Sequence, residues 1–144
     1  MEYSKEFEVR WADLDPNWHL KNTAYEDYAA HVRFSFLNEN GFPFGKHKEL
    51  KFAPVIFSQK YEYFKEIGPE QKFKMNYKIA GLSQDGRKYR LRNEVIRSDG
   101  AIAARITIDG SFLDLTTRKL RPPPNELFEI VKKLDRTDDF EELT

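Results

Sequence analysis

Tyr25, Tyr28, Ala29, Val32, Phe36 and Leu37 recur at the i, i+3, i+4, i+7 spacing that aligns one apolar stripe on a helix. A long amphipathic stretch of this kind needs a partner surface on which to bury its stripe. Asn22 or Thr23 is placed to cap its start, and Gly41, with Pro43 just beyond, supplies its stop. Directly before it, Asp13-Leu14-Asp15-Pro16-Asn17-Trp18-His19 concentrates two acids, a histidine and an amide in a loop that empties into the helix. A helix N-terminus presents unpaired backbone N–H groups and a partial positive charge, so it favours anions and developing oxyanions. A carboxylate facing it can do chemistry on a carbonyl.

Most of the remaining chain is patterned for strands. Residues 6–11 alternate Phe7, Val9 and Trp11 with Glu6, Glu8 and Arg10, the period of a half-buried strand. After Pro54 four more strands are expected, at 55–64, 73–79, 87–97 and 101–115. Asp85-Gly86 and Asp99-Gly100 are hairpin signals, so the four read as an antiparallel meander. The 12 Phe and 7 Tyr fall largely at alternating positions, which places them in a sheet-dominated core. Between helix and sheet, residues 41–52 read as a solvated loop carrying the basic cluster Lys46-His47-Lys48. Arg121-Pro122-Pro123-Pro124 breaks the sheet pattern; Leu127, Phe128, Val131 and Leu134 mark a short terminal helix, and residues 135–144 an acidic, frayed tail. The expectation is one α+β domain over residues 1–144, with one helix covering a face of a strongly curved antiparallel sheet.

Composition narrows the function classes. With no cysteine, thiol catalysis and cysteine-bound zinc are excluded. Lys plus Arg and Asp plus Glu both number 24, so nothing pulls the chain generally toward nucleic acid or anionic lipid. A charged N-terminus and the lack of an apolar run near ~20 residues lead to the expectation of a soluble, cytoplasmic protein with no membrane partner. Asp13-Leu14-Asp15-Pro16-Asn17 begins like a calcium loop, but Trp18 stands where the turn glycine belongs and Ala24 where the closing glutamate belongs. Neither a phosphate-binding glycine loop nor a Gly-x-Ser-x-Gly elbow is present.

Element order and the motif Asp13-x-Asp15-x-x-x-His19-x-x-Asn22-x-x-Tyr25 together resemble the hotdog fold, and specifically the 4-hydroxybenzoyl-CoA thioesterase family of acyl-CoA thioesterases. Tyr61-Glu62-Tyr63, Asp99-Gly100 and Phe112-Leu113-Asp114 support the likeness. The resemblance implies a curved five- to six-stranded antiparallel sheet wrapped around one long central helix, acyl-CoA hydrolysis without metal or cofactor, and a homodimer or homotetramer. It places Asp15 at the catalytic carboxylate and the backbone amide of Asn22 at the thioester carbonyl. His19 and Asn22 resemble the His-x-Asn-Asn segment of a related subgroup, with Lys21 in place of its first asparagine. Arg87-Lys88 matches an Arg-Lys pair that binds coenzyme A phosphates in that family.

The residues themselves leave alternatives beside these roles. Pro16 biases Asp15 toward extended backbone, holding its carboxylate ahead of the helix, whether to attack directly or to activate water. Asp13 reads instead as the structural acid of the loop. His19 is open between acid–base work and loop packing, Tyr25 between core and pocket wall, and Arg87-Lys88 between phosphate binding and a solvated strand face. A non-catalytic hotdog acyl-binding protein is the alternative function.

Overall fold

The structure is a computed structural model describing residues 1–144. Its centre is α1 (Ala24–Glu39), whose stripe of Tyr25, Tyr28, Ala29, Val32 and Phe36 is buried against the sheet. Asn40 closes the helix by donating its side-chain amide to the Phe36 carbonyl at 2.7 Å, and Gly41 takes the positive φ of 93° that turns the chain away.

Eight strand segments curve around this helix: β1 (Ser4–Glu8), β2 (Phe52–Tyr63), β3 (Lys72–Asn76), β4 (Lys78–Ser83), β5 (Lys88–Arg97), β6 (Ile102–Asp114), β7 (Leu120–Arg121) and β8 (Arg136–Leu143). Across the sheet the order is β2, β6, β5, then β3 and β4 end to end along β5, and finally β1 beside β3 and β8 beside β4. The two-residue β7 returns on the end of β6. This is the hotdog fold. Its segments outnumber the expected five or six because one strand is interrupted at Tyr77 and both β7 and the tail strand β8 are added.

Several local expectations are corrected. Trp11 does not continue the first strand; it lies in a 3₁₀ turn (Trp11–Asp13) and is 82% exposed. Thr23 has helical dihedrals, and no side chain caps α1. The basic cluster is not wholly loop: Lys46–Glu49 forms one helical turn, α2. The meander holds only from β4 through the two Asp-Gly hairpins to β6. β2 pairs with β6 rather than with β3, because β1 takes the free edge of β3 and the chain crosses to the opposite edge of the sheet. The acidic tail is not frayed. It lies parallel to β4 as β8, where Asp139 pairs with Arg92 at 2.6 Å and Glu141 pairs with Arg90, so the basic outer face of β5 organises it. The short helix α3 (Asn125–Val131) forms with Leu127 and Ile130 buried, but it ends before Leu134, which is buried just beyond it.

Aromatic edge-to-face contacts join helix to sheet: Phe7 with Tyr28 at 4.9 Å, Tyr28 with Phe73 at 5.2 Å, and Phe36 with Tyr77 at 5.4 Å between centroids. Each fully buried ring contributes roughly 1.5–3 kcal/mol by burial, enough to seat α1 in one register on the sheet. No helix is long and apolar enough to cross a membrane.

Candidate active site

The loop before α1 folds back on itself. Leu14 and Leu20 form an isolated antiparallel bridge, the Asp15 N–H donates to the His19 carbonyl at 2.8 Å, and the Lys21 N–H donates to the Asp13 carbonyl at 2.8 Å. Asp15 is thereby carried next to the segment that enters the helix. Its Oδ1 accepts the N–H groups of Asn17 at 2.9 Å and His19 at 3.1 Å, while Oδ2 makes no hydrogen bond. One oxygen thus orients the half-exposed carboxylate and the other is free to react. The turn is tight enough to put Trp18 at φ 63°, a costly conformation for a bulky residue.

Asp13 does different work. It is 6% exposed, receives Arg10 through Nε at 2.9 Å and the terminal nitrogen at 3.2 Å, and accepts the Tyr28 hydroxyl at 2.7 Å. Burial opposes its ionisation, but the hydrogen bonds from Arg10 and Tyr28 outweigh this and hold its pKa below the ordinary carboxylate value. All its acceptor capacity faces the protein, which ties the loop to α1.

At the helix entrance the Ala24 N–H bonds the Lys21 carbonyl at 3.0 Å, whereas the amides of Asn22 and Thr23 have no hydrogen-bond partner. Two donors are left unused at the positive end of a 16-residue helix. The His19 imidazole makes no hydrogen bond; its backbone is what shapes the loop. Tyr25 is 3% exposed and packs on Tyr63 at 5.3 Å between centroids. Burial, then Tyr63 and the charge of Asp15, push its hydroxyl up to about 12, so it stays a neutral donor.

Asp15, His19, Asn22 and Tyr25 therefore gather at one end of α1. Arg87 and Lys88 do not join them within one chain. They follow the β4–β5 hairpin beyond the C-terminal end of the helix, since Lys88 pairs with Ser111 and Ser111 with Val55, whereas Tyr25 meets Tyr63 at the far end of β2. There Arg87 lies 3.7 Å from Asp85, and the Lys88 ammonium donates to the Thr144 carbonyl at 2.8 Å.

A cavity of about 280 Å³ lies beside the C-terminal half of α1, between the helix, the sheet and α3. Its walls are largely aromatic and aliphatic, including Phe34, Phe52, Tyr89, Phe112 and Phe128, and none of the six residues expected from sequence lines it. Between cavity and entrance loop runs a polar chain that sequence reasoning missed. The Tyr61 hydroxyl donates to Glu26 at 2.6 Å, Arg33 donates to Glu26 at 2.5 Å, and Arg33 also reaches the fully buried Asn93 at 3.3 Å. The available signal was a pair of opposite charges seven residues apart, two turns along one helix face and flanking the apolar stripe.

Comparison with curated protein sequences finds no relative. Among solved structures, SAV2348 from Staphylococcus aureus, determined in complex with CoA, superposes with a TM-score of 0.84 at 16% identity, covering 95% of this chain and 87% of its own. The 1,4-dihydroxy-2-naphthoyl-CoA thioesterase Slr0204 from Synechocystis superposes at 0.82 with 15% identity, over 93% of this chain and 98% of its own. The DHNA-CoA thioesterase from Staphylococcus aureus gives 0.79 at 16% identity, over 92% and 89%. At these identities the likeness is one of fold. The family model of the thioesterase-like superfamily matches residues 9–131, from the end of the first strand through the terminal helix, and the chain belongs to that superfamily.

Proposed function

We propose that the protein hydrolyses acyl-CoA thioesters by the chemistry of the 4-hydroxybenzoyl-CoA thioesterase family, with Asp15 as nucleophile or general base and the Asn22 amide as oxyanion donor. The observations that carry this reading are an oriented Asp15 with one free oxygen and, at the helix entrance that its loop leads into, two unused amides at Asn22 and Thr23. Thioester hydrolysis requires those two elements and no third group: something to attack or activate water, and donors where negative charge develops. The His19 imidazole makes no hydrogen bond within the chain, which leaves it available as a proton donor to the leaving thiolate. The acyl chain runs along α1 toward the cavity; Arg33 stands nine residues beyond Ala24, about 13 Å at ~1.5 Å rise per residue. A panel of acyl-CoAs of increasing length, with released thiol as readout, tests the reading. Tight binding without turnover would instead identify an acyl-binding hotdog protein.

The site is completed by a second copy. β2 pairs on one side only, leaving a 12-residue edge strand on which Ile56, Phe57 and Tyr63 are about half exposed, as is Phe64 just beyond it. Both tryptophans, Trp11 at 82% and Trp18 at 62% exposure, flank Asp15 and expose more apolar surface than an isolated loop has use for. Pairing of β2 with its copy gives a two-fold dimer, or a tetramer built from two such dimers. Light scattering at micromolar concentration is expected to give at least a dimer; a fully active monomer refutes this assembly.

Because Arg87 and Lys88 lie far from Asp15 in one chain, their role as phosphate contacts requires them to serve a neighbouring subunit's site. Replacing both by Ala is then expected to raise KM severalfold and leave kcat nearly unchanged, since phosphate binding is uniform between ground and transition states. The wild-type KM should also rise with salt. An unchanged KM in the double variant would make this a solvated strand face.

A further inference from the structure

The cavity is largely apolar, and the polar side chains in its lining are Arg33, His47, Tyr77 and Tyr89. Arg33 is the only Lys, Arg, Asp or Glu among the lining residues, and its side chain is 15% exposed. A guanidinium carries five N–H donors, of which Glu26 takes one and Asn93 another. Glu26 also cancels the charge, so what Arg33 adds to the cavity is hydrogen-bonding capacity rather than net positive potential. Tyr77 lines the same cavity at the interruption between β3 and β4. It is 5% exposed, its ring is fixed edge-on to Phe36, and its hydroxyl makes no hydrogen bond. The hydroxyl is reachable from the cavity rather than sealed in the core, so a hydrophobic acyl chain laid over it would remove its solvation without replacing the hydrogen bond, at a cost of about 1–3 kcal/mol. Tyr89, another polar tip of the lining, already donates to the Val55 carbonyl at 3.0 Å and can only accept. The backbone holds Tyr77 there: its N–H bonds the Tyr3 carbonyl at 3.0 Å, and Asn93 donates to the Asn76 carbonyl at 2.8 Å across the strand break.

We infer that Arg33 and Tyr77 form a polar subsite in the acyl cavity that receives an acceptor oxygen, so that the preferred acyl group carries an oxo or hydroxyl function on an otherwise apolar chain. The spare Arg33 N–H groups can only donate and the Tyr77 hydroxyl can donate or accept, so an acceptor oxygen is the one group that satisfies both. The neutralised Arg33–Glu26 pair disfavours a carboxylate, whose negative charge would sit close to Glu26 without a matching cation. This substrate class rests on the thioesterase reading, although the subsite itself does not depend on turnover.

Calorimetric titration with medium-chain free fatty acids of one length, unsubstituted or carrying a single oxo or hydroxyl group at successive positions, tests it. At least one oxygenated acid is expected to bind the wild-type protein roughly fivefold to tenfold more tightly than the plain acid, the scale of one or two net hydrogen bonds. Tyr77→Phe and, separately, Arg33→Lys should bring that ratio down toward one; the Phe variant removes a single oxygen from the core and keeps the ring. Equal binding of all the acids, or a preference that survives Tyr77→Phe, overturns the subsite. The matching CoA esters separate the two readings. Hydrolysis of all esters without discrimination retains the thioesterase and removes the subsite, whereas discrimination among free acids with no ester hydrolysed retains the subsite and removes the thioesterase.

Discussion

Asp15→Asn is expected to lower kcat by roughly 10²-fold or more while folding and CoA-ester binding survive. The substitution keeps the shape and an acceptor oxygen, so the backbone N–H groups of Asn17 and His19 retain their partner. What disappears is the negative charge and basicity of the free oxygen, which only the chemical step requires. Asp13→Asn, made in parallel, reverses the pattern. Arg10 and Tyr28 both donate to Asp13, and an amide that accepts through one oxygen leaves part of that network unmatched. A stability loss of about 1–3 kcal/mol is expected, with a smaller effect on turnover. Because the folded pKa of Asp13 is depressed, its contribution is present above the unfolded-state value and is lost as pH falls through the folded one. The stability difference between wild type and Asp13→Asn should therefore shrink in acid, read from urea melts across pH. Near wild-type turnover in Asp15→Asn with loss in Asp13→Asn would exchange the two roles; activity in both would move the chemistry out of this loop.

Gly110→Ala is the largest effect expected on stability. Gly110 does not take a positive φ, so the requirement is spatial: a Cβ there would collide with the Val55 carbonyl oxygen and meet the Tyr89 hydroxyl at 2.5 Å. Neither can yield cheaply, since Val55 belongs to the β2–β6 ladder and Tyr89 is 5% exposed with its hydroxyl bonded to that same carbonyl. Overpacking on this scale costs about 3 kcal/mol or more, which lowers Tm by roughly 10 °C in a chain of this size. Gly100→Ala is the control. It occupies open space and meets only the positive φ of 88°, so a loss of about 1 kcal/mol is expected. A Gly110→Ala melt within two or three degrees of wild type, about 1 kcal/mol, would mean that Tyr89 does not pack where the cavity wall requires it.

What could be read from the chain without its fold is what depends on neighbours a few residues away. The stripe from Tyr25 to Leu37 and the stop at Gly41 define α1 because helical hydrogen bonds close within four residues. Asp85-Gly86 and Asp99-Gly100 mark two hairpins because positive φ is a local requirement, and both glycines have it. Asp13 and Asp15 differ in their places relative to Pro16 and the helix, and the structure gives them different hydrogen-bond partners. Non-local choices lay elsewhere. Nothing near residues 55–64 says that this strand pairs with β6 across the sheet, since that is decided by β1 taking the edge of β3. The acidic tail reads as solvated until Arg90 and Arg92 face it from β5, and Trp11 reads as a buried strand residue until the chain turns at the loop. The cavity and its polar wall have no linear signature at all. Arg33, Tyr77 and Tyr89 come from three elements that meet only when the sheet closes over the helix, and packing complementarity of that kind exists only in three dimensions.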